Sequence, residues 1–124
     1  MFHLLKRPAL WLAVLVLGSL ATISVAQQPD FDALPGTALI VDVRTPAEFR
    51  AGHFPGARNI PLADLSKRLD EFGDKDSTIV VYCRSGNRSG VAKKILQSAG
   101  YPRVFNGGGL GDMLRLAPPT ILGK

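Results

Sequence analysis

The stretch Thr78-Ile-Val-Val-Tyr-Cys-Arg-Ser-Gly-Asn-Arg-Ser-Gly90 constrains this chain more than any other. Ile79, Val80, Val81 and Tyr82 are β-branched or aromatic and run without a polar break, the pattern of a strand buried on both faces of a parallel sheet. Beyond Ser89 the apolar residues fall at Val91, Ala92, Ile95, Leu96 and Ala99, which is helical spacing. Gly100 is placed to close that helix, and Pro102 prevents its continuation. A strand therefore passes into a helix through Cys83-Arg-Ser-Gly-Asn-Arg88, and that loop holds the only cysteine of the chain.

That position gives the thiol a chemistry. A short loop of small residues entering a helix turns several backbone N–H groups toward one point, and the helix dipole adds positive potential behind them. A sulfur at such a point ionises more readily, and nearby arginines favour the thiolate further. Arg84 and Arg88 also carry forked donors suited to oxyanions. The residues read as a thiolate nucleophile, Cys83, in a cradle of Arg84, Ser85, Gly86, Asn87 and Arg88 that also binds an anion. An inert buried cysteine is the alternative, since free cysteines commonly serve packing alone.

The rest of the chain reads as alternating elements. Thr37 to Val43 is a second apolar run, bounded by Gly36 and Pro46. Thr45, Pro46 and Glu48 form a helix start with a capping-box pattern, and the helix ends near Gly52. His53 to Pro61 reads as a turn and a short strand, and His53 as a structural residue of that turn. Leu62 to Phe72 reads as a helix with Leu65, Leu69 and Phe72 on one side. Arg103 to Phe105 reads as a strand, Asn106 to Gly109 as a flexible loop, and Leu110 to Leu116 as a last helical turn. This order predicts an α/β fold, a central parallel sheet with helices on both faces. Ligands bind such sheets outside the carboxyl ends of the strands, where Cys83 stands. Asp42 and Arg44 follow a buried strand to the same end and are expected to support the site from its rim, Arg44 by pairing with Glu48 or another carboxylate.

Residues 1–26 have the features of a secretory signal: a basic start at His3, Lys6 and Arg7, an apolar stretch from Pro8 to Val25, and small residues at Ser24-Val25-Ala26. Cleavage there leaves 13 basic against 10 acidic residues. So mild a charge gives no footprint for nucleic acid, and no Cys/His spacing suits a metal. The expected organisation is a signal over 1–26, a mobile lead-in over 27–36, a domain over 37–117 and a tail over 118–124. The expected location is periplasmic, or membrane-anchored if the signal stays uncleaved. A lone cysteine in an exported chain is kept for chemistry or for a partner.

Three segments carry a family likeness. Asp42-Val-Arg44 with Pro46, Glu48 and Phe49, then Gly52-His-Phe-Pro-Gly-Ala-Arg-Asn-Ile-Pro61, then Cys83-Arg-Ser-Gly-Asn-Arg88 together resemble a single-domain rhodanese, a thiosulfate sulfurtransferase, of the exported phage-shock-protein-E-like type. The resemblance implies a rhodanese-like fold, a Cys83 persulfide formed from thiosulfate, and an external thiol or cyanide as acceptor. No cofactor is expected, and a monomer. In it the amides of Arg84 to Arg88 hold the sulfur, and the Arg84 and Arg88 side chains bind the sulfonate. Many rhodaneses place Trp a few residues after Gly-Gly. Here the segment is Gly107-Gly-Gly-Leu-Gly-Asp-Met113, and a short last helix is expected.

A cysteine phosphatase or arsenate reductase uses a similar loop but needs an arginine six positions after the cysteine, where this chain has Ser89. A persulfide carrier or a partner-binding module is the other alternative.

Overall fold

The computed structural model describes residues 28–123. The signal read over residues 1–26 lies outside them. Strands β1 (Leu39–Asp42), β2 (Arg58–Asn59), β3 (Ile79–Cys83) and β4 (Val104–Gly109) alternate with helices α1 (Pro46–Ala51), α2 (Asn87–Ser98) and α3 (Leu110–Leu116). The four strands form one parallel sheet in the order β2-β1-β3-β4.

β3 is buried at every residue because its two faces sit in different cores. Side chains alternate across a strand. Ile79, Val81 and Cys83 join Val41, Val43, Ile60, Leu65, Phe72, Ala92, Leu96 and Tyr101 on one side. Val80 and Tyr82 join Phe31, Phe54, Met113 and Ala117 on the other. Cys83 thus faces the layer that holds α2. That helix closes with Tyr101 N–H donating to the Leu96 carbonyl (3.0 Å) and Gly100 N–H to that of Gln97 (3.1 Å), a Schellman closure.

Four stretches differ from the sequence expectation. Leu62 to Phe72 is two 3-10 segments, Leu62–Lys67 and Leu69–Phe72. The reason lies in the apolar steps: Leu62 to Leu65 and Leu69 to Phe72 are three residues apart, matching a helix of three residues per turn. The lead-in expected as mobile is packed at Phe31, whose ring lies 5.6 Å from that of Phe54. Val91, placed by spacing on the apolar face of α2, is 48% exposed; the buried stripe is Ser89, Ala92 and Leu96. Asn106 to Gly109 is not a loop but the second half of β4. Its glycines let the strand run close to the cysteine loop, since a Cβ at Gly109 would strike the Arg84 carbonyl oxygen. The register also shifts there, Val81 pairing with Asn106 but Cys83 with Gly109, so β4 carries one extra residue as a bulge.

Candidate active site

Cys83 is the last residue of β3. The chain then turns through Gly86, whose φ of 95° is left-handed and costs glycine little. This turn aims the Gly86 N–H at the cysteine sulfur, 3.0 Å from Sγ. The first turn of α2 brings the Ser89 hydroxyl to 3.4 Å from Sγ. Ser89 Oγ in turn donates to Asn106 Oδ1 at 2.7 Å.

Cys83 is 0% exposed, and yet its thiol is biased toward ionisation. Burial opposes the thiolate most strongly of any one effect. The Ser89 hydroxyl and the amides of Ser89, Ser85 and Gly86 together outweigh it, and the thiol lies below its ordinary value. Hydrogen bonds to the charged form, more than the arginines, set this direction.

The predicted cradle divides in two. Ser85 and Gly86 act on the sulfur through their amides. Arg84, Ser85 and Asn87 are exposed at the mouth of the loop. Arg88 is half-buried and forks onto Glu48 of α1, with Nη1 to Oε1 at 2.7 Å and Nη2 to Oε2 at 2.9 Å. Beside Arg88 lies a cavity of about 330 Å³ lined also by Val43, Thr45, Pro61, Leu62 and Ala63. It sits beyond the carboxyl ends of β1 and β2. A larger cavity of about 640 Å³ lies at the opposite edge, among Pro29, Leu34, Thr78, Arg103 and Phe105, away from the sulfur.

Asp42 and Arg44 lie inside the protein, not on the rim, at 0% and 7% exposure. The Arg44 partner is Asp42: Nε donates to both carboxylate oxygens at 3.0 Å and Nη2 to Oδ2 at 2.6 Å. Arg44 Nη2 also donates to the Gly52 carbonyl at 2.7 Å. Tyr82 donates its hydroxyl to Asp42 Oδ2 and accepts from the Phe54 N–H, both at 2.9 Å. This buried network ties β1, β3 and the turn after α1 together, and among the described residues no fully buried side-chain polar atom lacks a partner. His53 stacks on Phe49 with centroids 3.7 Å apart, and its Nδ1 lies 2.9 Å from the Phe49 carbonyl.

Glu48 serves two ends. It completes the capping box with Thr45, as its pattern predicted, and it holds Arg88. Arg88 is the main cause that keeps its carboxyl down at about 2; burial opposes this and the Thr45 bonds assist. A depressed carboxylate stabilises the fold fully above its unfolded value of 4.5 and loses that contribution as pH falls through its folded value. Melting curves of Glu48→Gln and the unaltered protein should therefore differ by about 2–5 °C at neutral pH, and the gap should close between about pH 5 and pH 2. A gap independent of pH would mean that the ion pair contributes nothing.

Sequence reasoning missed Ser89 as a sulfur ligand. The signal was present: Ser89 falls on one helical stripe with Ala92 and Leu96, which turns a hydroxyl inward under the loop. Asn106 was missed because its segment read as a loop.

A parallel α/β sheet with a lone cysteine at the carboxyl end of a central strand, held by the amides of the strand–helix turn, defines a class, and the comparisons agree with it. The rhodanese-like domain family matches residues 27–110, and this chain belongs to that family. The thiosulfate sulfurtransferase PspE of Escherichia coli is 43% identical over 84 residues, which are 67% of this chain and 78% of that protein. A sulfurtransferase of Allochromatium vinosum is 46% identical over 68 residues, 55% of this chain and 63% of the relative's length. Among solved structures, a rhodanese with anions from E. coli superposes with a TM-score of 0.58 at 43% identity, covering 60% of this chain and 89% of that one.

Proposed function

We propose that this protein is a thiosulfate sulfurtransferase working through a Cys83 persulfide. The observation that carries the reading is the convergence of the Gly86 amide and the Ser89 hydroxyl on one sulfur. The Gly86 N–H, joined by the Ser89 hydroxyl when its hydrogen turns to the sulfur, favours an anion at Sγ before substrate arrives.

Cys83 thiolate attacks the outer sulfur of thiosulfate. A new S–S bond forms at Cys83, the S–S bond of thiosulfate breaks, and its electron pair leaves on sulfite. The outer sulfur of the persulfide then passes to a thiolate or cyanide acceptor, and the electron pair of that S–S bond restores the Cys83 thiolate. No oxidant or reductant is consumed. The chain has no second cysteine to resolve the persulfide internally, which supports an external acceptor. In this reading the amides of Ser85, Gly86 and Ser89 hold the sulfur, and Arg84 and Arg88 receive the sulfonate. Complete burial of Cys83 favours a small donor over a bulky one. Ser89 at the sixth position after Cys83 lends its hydroxyl to the sulfur, where a phosphatase needs an arginine. The basic start and apolar run over residues 1–26 support export.

Intact mass measured after thiosulfate treatment and gel filtration tests this directly. The expected result is one added sulfur atom, removed by cyanide and absent after prior alkylation of Cys83. No added sulfur on a protein whose Cys83 alkylates freely would overturn the reading. Loading that no small acceptor discharges would favour a persulfide carrier instead.

A further inference from the structure

We propose that Asn106 is a positioning residue for the sulfur chemistry: from the β4 bulge it sets two of the groups that bind Cys83 Sγ, the Ser89 hydroxyl and the Gly86 backbone. This rests on the reading of Cys83 as the nucleophile.

Asn106 reaches across from the neighbouring strand with both ends of its amide. Its Oδ1 accepts from Ser89 Oγ at 2.7 Å and from the Gly108 N–H at 3.0 Å. Its Nδ2 donates to the Gly86 carbonyl at 3.1 Å. Gly86 is the residue whose N–H meets the sulfur, across its own Cα from the carbonyl that Asn106 holds, and Ser89 is the side chain that meets it from the helix. One side chain therefore anchors the two sulfur ligands from outside their own loop. The extra residue between Asn106 and Gly109 is what allows this. It interrupts the ladder between Val81 and Cys83 and folds the Gly108 amide back onto Asn106.

The arrangement also handles a proton. Ser89 has a single hydroxyl hydrogen. With Cys83 protonated, S–H donates to Ser89 Oγ and O–H donates to Asn106 Oδ1. When the thiol releases its proton to water, the Ser89 hydrogen turns to the sulfur. Asn106 Oδ1 then retains the Gly108 N–H, so no buried acceptor is left bare. Ionisation of the sulfur is thereby accommodated by rotating one hydroxyl. The charged groups around Cys83 are paired. Arg88 of α2 is held above its ordinary value by Glu48 of α1, Glu48 is held at about 2, and Asp112 of α3 is held low by the Gly109 amide and Arg115. Asp42 of β1 is locked on Arg44 and Tyr82.

The test is the pH profile of Cys83 alkylation by iodoacetamide in the full chain, which reads the thiolate whether or not thiosulfate is the donor. Asn106→Ala removes both anchors; the midpoint should rise and alkylation at pH 7 should slow by about 5- to 20-fold, the consequence of roughly one unit. Asn106→Asp keeps the size and the oxygen acceptors but loses the Nδ2 donor and adds a charge, so its midpoint should rise at least as far, and it serves if the alanine variant fails to fold. In the Ser89→Ala background the effect of Asn106→Ala should shrink, because part of it passes through that hydroxyl. Folded variants with lowered melting temperature and an unmoved midpoint would reduce Asn106 to a structural residue and overturn the proposal. Failure of thiosulfate turnover with the midpoint shifted would count against the sulfurtransferase reading and leave this one standing.

Discussion

Cys83→Ser should reduce sulfur transfer from thiosulfate to cyanide to background, a loss of at least about 10³-fold, while leaving the protein folded. A hydroxyl at this position meets the same Gly86 amide and Ser89 hydroxyl that meet the sulfur. It stays protonated at neutral pH, however, and is a poor nucleophile without a base beside it. Ser89 cannot supply that base, since a neutral hydroxyl does not take up a proton near pH 7, and among the described residues His53 faces Phe49 instead of the loop. The stability cost should be about 1 kcal/mol, the ordinary size for a buried substitution of one atom. Thiocyanate formation and a denaturant titration measure the two effects separately. Turnover surviving in the serine variant would remove Cys83 from the reaction.

Asp42→Ala should have the largest effect on stability, about 3–5 kcal/mol. That is a large part of the roughly 5–15 kcal/mol that holds a domain together. The alanine leaves the Arg44 guanidinium, 7% exposed, without its carboxylate, and it strips the Tyr82 hydroxyl of its acceptor. Burial already holds that hydroxyl far above its ordinary value, so it cannot respond by ionising. Urea unfolding measures the loss, and a change below about 1 kcal/mol would show the network to be dispensable. The chemistry should respond differently. Turnover per folded molecule should persist, because the network joins β1, β3 and the turn at Phe54 and does not bond to Sγ. Asp42→Leu with Arg44→Met should recover much of the loss, since a buried ion pair exchanges with apolar residues at little cost.

These two residues also mark what could be read from order alone. Asp42 and Arg44 resemble a site motif and stand at the right end of a strand. Their place after a buried strand suggested the rim, yet burial and mutual pairing put them in the wall behind the site. Cys83 presented the opposite case. Its strand, its loop of small residues and the helix beyond are contiguous, and local chemistry was enough to see amides converge on it. Arg88 fell between the two. Its position beside the sulfur follows from the loop, but its partner Glu48 lies 40 residues away, and sequence had offered Arg44 either Glu48 or another carboxylate.

Contiguous stretches specified the parallel α/β fold, the strand–turn–helix junction and the cysteine at its corner, because apolar period, capping residues and glycine act within a few residues of one another. The tertiary structure alone decided which carboxylate meets which arginine, and that Asn106 reaches out of β4 to hold the sulfur's ligands. Each of those depends on side chains brought together from distant elements, and hydrogen bonds across a sheet leave no periodicity in the chain that makes them.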